Sequence, residues 1–334
     1  MKILKFVALF ILVAAQLLAQ NKVGTVAADF LTIPIGPRAT SMGGAFVASA
    51  NDASAAFWNP GALSRMPRSE FMASYADWLL GTNHNYVSIA IKLGDDNAFA
   101  LSFNQLDYGE EEITTELQPD GTGQNWDASD IAIGLTYARN LTDRFSIGGT
   151  IKYISSRIWN ESASAFALDV GLLFQTELEG LSLGMNIANF GTEMQLDGPD
   201  LFQAIDIDES NFGNNPNIAG KLETDSWDLP LNFTVGAAMN FLNNEEWILT
   251  VATDAVYPIN TTPHVNVGSE VAWRNTFYVR AGYISLFEED SEEGLTAGVG
   301  LRYEVSGFNL GVDYSFMDFG QFDSISRYAF SVKF

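Results

Sequence analysis

The feature that most constrains this chain is a repeated alternation of apolar and small or polar residues, which runs from about Ser69 to the last residue, Phe334. Between Phe166 and Leu172, for example, every second residue is large and apolar, and the residues between them are Ala, Asp and Gly. A period of two residues is typical of strands with two different faces. About fourteen such segments follow one another, each of the length that a tilted membrane strand requires.

The connections between these segments alternate in length. Tight turns follow the second, fourth, tenth and twelfth segments, at residues 94–97, 140–143, 274–275 and 305–307. Several odd-numbered segments end in longer acidic loops, at residues 109–125, 191–225 and 287–293. This asymmetry is typical of barrels in the bacterial outer membrane, whose short turns face the periplasm. The sequence therefore predicts an all-β protein, a transmembrane antiparallel β-barrel.

Composition and the two ends of the chain agree with this prediction. Hydrophobic residues make up 47% of the chain, charged residues only 17%, and no apolar run after residue 20 reaches the ~18 residues of a membrane helix. Lys2 and Lys5 precede a short apolar stretch that ends near Ala19, which predicts a signal peptide over residues 1–19 and export by the Sec pathway. The final segment places Tyr328, Phe330 and Phe334 on one face, which resembles the signal that the outer-membrane barrel-assembly machinery recognises.

Residues 20–68 do not alternate and are rich in Ala, Gly and Ser. Asp52 is placed to cap a short helix that ends at Trp58, before Pro60. Small residues and paired glycines suit tight packing, so we expect this segment to lie as a plug inside a barrel formed by residues 69–334. The characteristic residues of this predicted hatch are Met42, Gly43, Gly44, Asp52, Asn59 and Pro60.

These residues resemble the N-terminal hatch of the FadL-like outer-membrane superfamily, and the sequence motif is most similar to that of its PorV/PorQ branch. The usual Asn-Pro-Ala-Gly-Leu appears here as Asn59-Pro60-Gly61-Ala62-Leu63, with the two small residues exchanged. In the PorV-like branch, the resemblance implies a role in type IX secretion, with cargo proteins and secretion components as partners. In FadL itself, it implies transport of long-chain fatty acids or other hydrophobic solutes. The second role would need an apolar pocket beside the hatch and an opening in the wall.

Charges that the alternation directs toward the lumen form a further group of candidates. They are Lys92, Asp130, Lys152, Asp169, Glu270 and Arg280. Charge at mid-membrane is costly unless it faces water or a partner. Two interpretations follow: the charges pair with one another or with the hatch, or they form a polar conduit or headgroup site.

Other chemistries are disfavoured. A net charge of −24 with only 17 Lys and Arg argues against nucleic-acid binding, and the absence of Cys removes thiol chemistry. The only histidines, His84 and His264, are far apart, and we expect both to be solvated or at the rim, so we predict no enzyme activity. We also predict no cofactor and no metal site, because the acidic clusters 110–112, 206–209 and 288–290 lack the spacing of a calcium loop. These loops would be solvated, or bridged by divalent ions to lipopolysaccharide beside the lipid bilayer.

Overall fold

The computed structural model describes residues 24–178, 180–206, 217–288, 291–322 and 324–334. The predicted signal peptide, residues 1–19, lies outside the described residues. Within the described residues, no helix is both long and apolar enough to cross a membrane.

Fourteen strands form one closed antiparallel barrel, in which each strand pairs with its neighbours along the chain and the last pairs with the first. The predicted all-β barrel of about fourteen strands is therefore confirmed. Its strands are β1 (Glu70–Asp77), β2 (Asn83–Leu93), β3 (Asn97–Glu112), β4 (Asn125–Asn140), β5 (Phe145–Ile158), β6 (Glu161–Gln175), β7 (Leu181–Gly191), β12 (Asn232–Asn243), β13 (Trp247–Pro258), β14 (His264–Trp273), β15 (Phe277–Leu286), β16 (Leu295–Val305), β17 (Phe308–Asp318) and β18 (Ser324–Lys333), and β8–β11 lie in the long connection before β12.

The outer face of the barrel is apolar because the large residues of the alternating segments point outward. Register places these residues side by side, so that they form continuous apolar rows across the strands. One row consists of Ile89, Leu101, Leu135, Ile151 and Leu168, all of them exposed. Monomers in water rarely expose apolar patches of more than a few hundred Å², so this surface needs an apolar environment.

The connections follow the predicted asymmetry with two differences. The predicted loop 109–125 is shorter than expected, because β3 continues to Glu112 and β4 begins at Asn125. The β5–β6 connection lies on the side of the long loops but has only two residues, Trp159 and Asn160. Alternation of hydrophobicity stops where the strands leave the apolar zone, so the polar extensions of β3 and β4 gave no period-two signal.

The predicted loop 191–225 carries secondary structure of its own. Two small antiparallel pairs form in the connection between β7 and β12. Their strands are β8 (Met194–Gln195), β9 (Phe202–Ile205), β10 (Ile218–Lys221) and β11 (Ser226–Trp227). Strand β9 pairs with β10, and β8 pairs with β11. The β8–β11 pair places Trp227 beside Met194, which is buried in a cluster with Phe30 and Leu31 of the N-terminal segment.

The N-terminal segment, residues 24–68, is a chain of short helical turns. Its elements are a 3-10 turn (Asp29–Thr32), α1 (Pro37–Ser41), α2 (Ala55–Trp58) and a second 3-10 turn (Pro60–Arg65). Gly36, with a φ of 73°, precedes Pro37 at the first turn of α1, and Pro fits this position because its missing N–H has no partner there in any case. The predicted cap at Asp52 is wrong: Ser54 occupies the N-cap of α2, and Asp52 instead accepts hydrogen bonds from the Ser54 backbone and hydroxyl.

Candidate functional site

The N-terminal segment contacts the inner face of the barrel on opposite sides. Helix α1 packs against β15–β18, whereas the turn Pro60–Arg65 packs against β3–β6. Most of its side chains between Ile35 and Met66 are buried and form one cluster with small inward-facing residues of the wall, such as Ala90 and Ala100. The segment therefore contacts wall strands on both sides of the barrel.

Glycines of the wall allow the backbone of the segment to approach the strands closely. A Cβ added at Gly282 would lie 2.3 Å from the Gly43 nitrogen, and one at Gly171 would lie 2.7 Å from the Gly61 nitrogen. Gly184 meets the backbone of Val47 in the same way. Since any side chain at these wall positions would collide with backbone atoms, the wall and the segment are complementary in shape.

Two carboxylates of the wall bind backbone amides of the segment. Asp254 of β13, only 1% exposed, accepts hydrogen bonds from the N–H groups of Phe46 and Val47 at 2.7 and 2.9 Å. Glu70 of β1 accepts one from the Ala53 N–H at 2.9 Å. Hydrogen bonds to charged groups are worth about 1.5–3 kcal/mol, and a buried carboxylate is costly without them.

A third wall carboxylate, Glu270, binds the segment through Arg38. Both oxygens of Glu270 accept hydrogen bonds from the Arg38 guanidinium at 2.9 Å, and Arg38 also pairs with Asp52 at 3.0 Å. Burial by itself would lower the pKa of Arg38, but the carboxylates of Glu270 and Asp52 raise it above its usual value. Burial would raise the pKa of Asp52, but Arg38 and Lys333 hold it below the usual value. Both groups are therefore charged.

The charge network continues along the wall. Arg280, which is fully buried, donates to Glu270 at 2.6 Å and to Asp313 at 2.7 Å, and Arg302 pairs with Asp313 at 2.7 Å. Two of the predicted lumen charges, Glu270 and Arg280, are thus joined to each other and to the segment. Planar guanidinium groups suit this bidentate, buried arrangement.

The other predicted lumen charges lie apart from this network. Lys152 pairs with Asp169 at 2.8 Å, and the Asp169 carboxylate also accepts a hydrogen bond from the Asn189 N–H. Asp130 accepts a hydrogen bond from the Tyr108 hydroxyl. Lys92 lies near the end of β2, on the same side of the strand as the buried Ser88.

The residues of the predicted hatch motif take part in these contacts in different ways. Met42 and Gly43 lie against Gly268 and Gly282, and Gly44 lies beside the ring of Trp58. Asp52 pairs with Arg38, whereas the Asn59 side chain donates to the carbonyls of Val47 and Leu172 and accepts from the Gly61 N–H. Pro60 begins the second 3-10 turn, against Gly148.

The aromatic residues at the C-terminal end point outward. Tyr328, Phe330 and Phe334 are all exposed on the outer face, and the Phe334 N–H donates to the Ser69 carbonyl where the barrel closes.

One histidine departs from the prediction. His84 was expected to be solvated, but it is fully buried, with its Nε2 2.7 Å from the Asn104 side chain and its Nδ1 3.0 Å from Arg327. Alternation explains the burial, because His84 occupies an inward position of β2. His264 is half-buried, and its Nδ1 lies 3.1 Å from the Thr262 carbonyl.

A cavity of about 350 Å³ lies between the N-terminal segment and the wall, at the end of the barrel that carries the long loops. The side of its lining that the N-terminal segment contributes, called the floor, includes Gly43, Gly44, Phe57 and Trp58. Apolar residues such as Leu31, Phe57 and Ile284 contribute to its lining, which also includes five asparagines and three carboxylates: Asn186, Asn189, Asn232, Asn260, Asn266, Asp29, Glu288 and Glu293. Within the described residues, no group of three or more His, Cys, Asp or Glu could hold a metal ion.

Sequence reasoning missed several of the residues that anchor the segment. Asp254, Glu70 and Asp313 stand singly in ordinary strands, and their partners lie in distant parts of the chain. Asp254 and Asp313 could have been identified from their positions in the period-two alternation, because both are charged residues at inward positions of apolar strands.

Comparison with solved structures shows the fold. The toluene transporter TbuX of Ralstonia pickettii has a TM-score of 0.52 at 12% identity, over 89% of this chain and 97% of that one. The toluene transporter TodX of Pseudomonas putida has a TM-score of 0.52 at 13% identity, over 88% and 96%. The monoaromatic hydrocarbon channel CymD has a TM-score of 0.54 at 12% identity, over 90% and 96%. At such identities the likeness concerns the fold alone.

Comparison at the level of sequence identifies the family. No curated protein matches the chain. A family model described as "Type IX secretion system protein PorV" matches residues 16–265, which is most of the chain. This match confirms the resemblance to the PorV/PorQ branch inferred from the motif around Met42 and Asn59. The chain belongs to the PorV family of type IX secretion system proteins.

Proposed function

We propose that this protein is a non-enzymatic barrel of the bacterial outer membrane, exported by the Sec pathway and freed of residues 1–19. Its exposed apolar rows would face the lipid bilayer. A closed barrel suits the hydrocarbon of the bilayer because it has no sheet edge with unpaired backbone groups. The long acidic loops would then face lipopolysaccharide at the cell surface.

Within this barrel, residues 20–68 act as a hatch that stays closed. The observation that carries the proposal is the set of buried wall carboxylates, Glu70, Asp254 and Glu270, which bind the segment from three different strands. Releasing the segment would remove the backbone N–H groups that bind Asp254 and Glu70 and the Arg38 guanidinium that binds Glu270, and a buried polar group left unsatisfied costs about 1–3 kcal/mol. The barrel would therefore serve as a membrane-anchored docking protein and not as a conduit for polypeptide.

Membership of the PorV family supports a role in delivering cargo proteins to the cell surface, with other type IX components and cargo as partners. Insertion would be directed by Tyr328, Phe330 and Phe334, which lie exposed beside the seam between β1 and β18. Deleting Phe334 should lower the amount of folded barrel in the outer membrane, measured by membrane fractionation.

Transport of hydrophobic solutes is the second candidate, favoured by the shared fold with the toluene transporters. The amides and carboxylates of the cavity weigh against it, because they would lose hydrogen bonds to water when a hydrocarbon entered, although apolar residues such as Leu31, Phe57 and Ile284 line the cavity as well.

A deletion strain separates the two functions. In a bacterium that exports surface proteins by this pathway, we expect those proteins to accumulate in the periplasm when the gene is deleted, and to return to the surface on complementation. Uptake of toluene and of a long-chain fatty acid should not change. Normal surface display combined with lost uptake would overturn the proposal and favour the transporter.

A further inference from the structure

We propose that the cavity above the hatch is a binding site for an organic cation, a guanidinium or primary ammonium group on a flexible stem. The inference concerns ligand chemistry and is independent of the secretion role. It depends on unpaired acceptors, on charge and on the floor of the cavity.

The first observation is a set of amide oxygens without donors. Asn186 and Asn260, 6% and 5% exposed, and the half-buried Asn232 line the cavity, and the Oδ1 atom of each has no hydrogen-bond partner. The orientation of Asn260 is determined, because its Nδ2 donates to Asp29 at 2.8 Å. Its Oδ1 must therefore point elsewhere. Buried acceptors without partners are rare. Each of these oxygens is itself buried, so a ligand rich in N–H groups would satisfy them after a rotation of the amide toward the cavity.

The second observation is an excess of negative charge. Asp29, Glu288 and Glu293 line the cavity, and none of them forms an ion pair with a residue that the structure describes. Lys152, which also lines it, already pairs with Asp169. A cation is therefore the missing complement, and a neutral ligand would leave the three carboxylates unbalanced.

The third observation is the floor. Phe57 and Trp58 form an edge-to-face pair there, with ring centroids 5.3 Å apart. The Trp58 N–H is already bonded to the Ile35 carbonyl, which holds the indole in place. An indole face attracts a cation within about 6 Å, and a methylene stem packs on the same ring. These features favour an arginine- or lysine-like group over a simple metal ion.

Calorimetric titration of the purified full-length protein in detergent tests the proposal. Argininamide acetylated at its α-amino group is compared with citrullinamide acetylated in the same way, which has nearly the same shape but a neutral urea in place of the guanidinium. We expect saturable binding of argininamide at one site per chain, and about tenfold weaker binding of citrullinamide, a difference of about 1.4 kcal/mol. Spermidine and the peptide Gly-Arg-Gly, titrated separately, distinguish a free polyamine from a peptide side chain as the source of the cation.

Variants locate the site. The double substitution Glu288→Gln/Glu293→Gln and the single substitution Asn232→Ala should each weaken argininamide binding, the first by about tenfold. Asn243→Ala, exposed at the opposite end of β12, should leave it unchanged. Retained resistance of each barrel to unfolding in SDS shows that the variants fold. Maltose is titrated as a neutral polar ligand. The proposal would be overturned by equal affinity for argininamide and citrullinamide, by binding of maltose without binding of cations, or by no saturable binding of any probe.

Discussion

The Asp254 carboxylate binds the backbone N–H of Phe46 at 2.7 Å, across 208 positions of sequence, and so joins the middle of a wall strand to the middle of the hatch. Its Oδ2 atom holds two such groups, since the Val47 N–H donates to it as well.

Replacing Asp254 by Ala should loosen the hatch locally. The N–H groups of Phe46 and Val47 would lose their acceptor inside the barrel, at a cost of about 1–3 kcal/mol for each unsatisfied group. Hydrogen exchange measured by mass spectrometry should then show loss of protection over residues 44–50. Asp95→Ala, in the exposed β2–β3 turn, is the matched control and should leave exchange of that peptide unchanged. Unchanged protection in Asp254→Ala would contradict the anchoring role.

A side chain at Gly282 should displace the hatch by steric collision. The Cβ of Gly282→Ala would lie 2.3 Å from the Gly43 nitrogen, and neither backbone has room to move within a closed barrel. We expect faster proteolysis of the N-terminal segment in the purified variant, followed by mass spectrometry of the fragments. At Gly294 an added Cβ would meet nothing closer than 3.9 Å, so Gly294→Ala should behave like the parent protein. Equal cleavage of both variants would show that the hatch tolerates the extra volume.

Loss of Arg280 should destabilise the barrel far more than loss of a surface arginine. Arg280→Ala leaves the carboxylates of Glu270 and Asp313 with a missing partner inside the wall, which should cost about 3–5 kcal/mol. Arg274→Ala breaks only an exposed pair with Glu246, worth about 0–1 kcal/mol. The free energy of unfolding in urea, measured in detergent, compares the two. A similar small loss in both variants would mean that water compensates the buried carboxylates.

Binding of an organic cation in the cavity should strengthen as the pH rises through neutrality. Burial, with a contribution from Glu288, raises the pKa of Glu293 to about 7. Below this pH the carboxyl is neutral and attracts a cation weakly, and above it the carboxylate is charged, so affinity for argininamide should rise between about pH 6 and pH 8. The other titratable groups that line the cavity are Asp29, Lys152, His264 and Glu288.

Calorimetry at several pH values checks this dependence. The parent protein should show the rise, and Glu293→Gln should show a flat profile over the same range. A rise of equal size in Glu293→Gln would assign the titration to another group of the cavity and contradict the role of Glu293.

The barrel could be predicted from the sequence because its signal is local and repeated. Alternating residues such as Leu101 and Leu135 determine which face of each strand is apolar, and strand length and turns then limit the architecture. The anchors of the hatch could not be predicted in this way. Asp254 has the same local pattern as any inward polar residue, and its partners are backbone N–H groups, which leave no trace in residue type.

The small strands between β7 and β12 were missed for a related reason. Segments of two to four residues, such as Met194–Gln195, are too short to show a period, and their apolar residues resemble those of an ordinary loop. The burial of His84 was missed because a histidine near the end of a strand was expected at the rim of the barrel. Its position in the alternation of β2 indicates instead that it points inward.

A disulfide between hatch and wall tests most directly whether the hatch stays docked while the protein works. The hydroxyls of Thr40 in α1 and Ser315 in β17 are buried and lie 2.7 Å apart, and the chain has no other cysteine to interfere with the pair Thr40→Cys/Ser315→Cys. The measurement is surface display of type IX cargo in cells that carry the oxidised pair, with each single substitution as a control. We predict display equal to that of the parent protein. Loss of display that a reducing agent restores would show that the hatch must move, and would contradict the account.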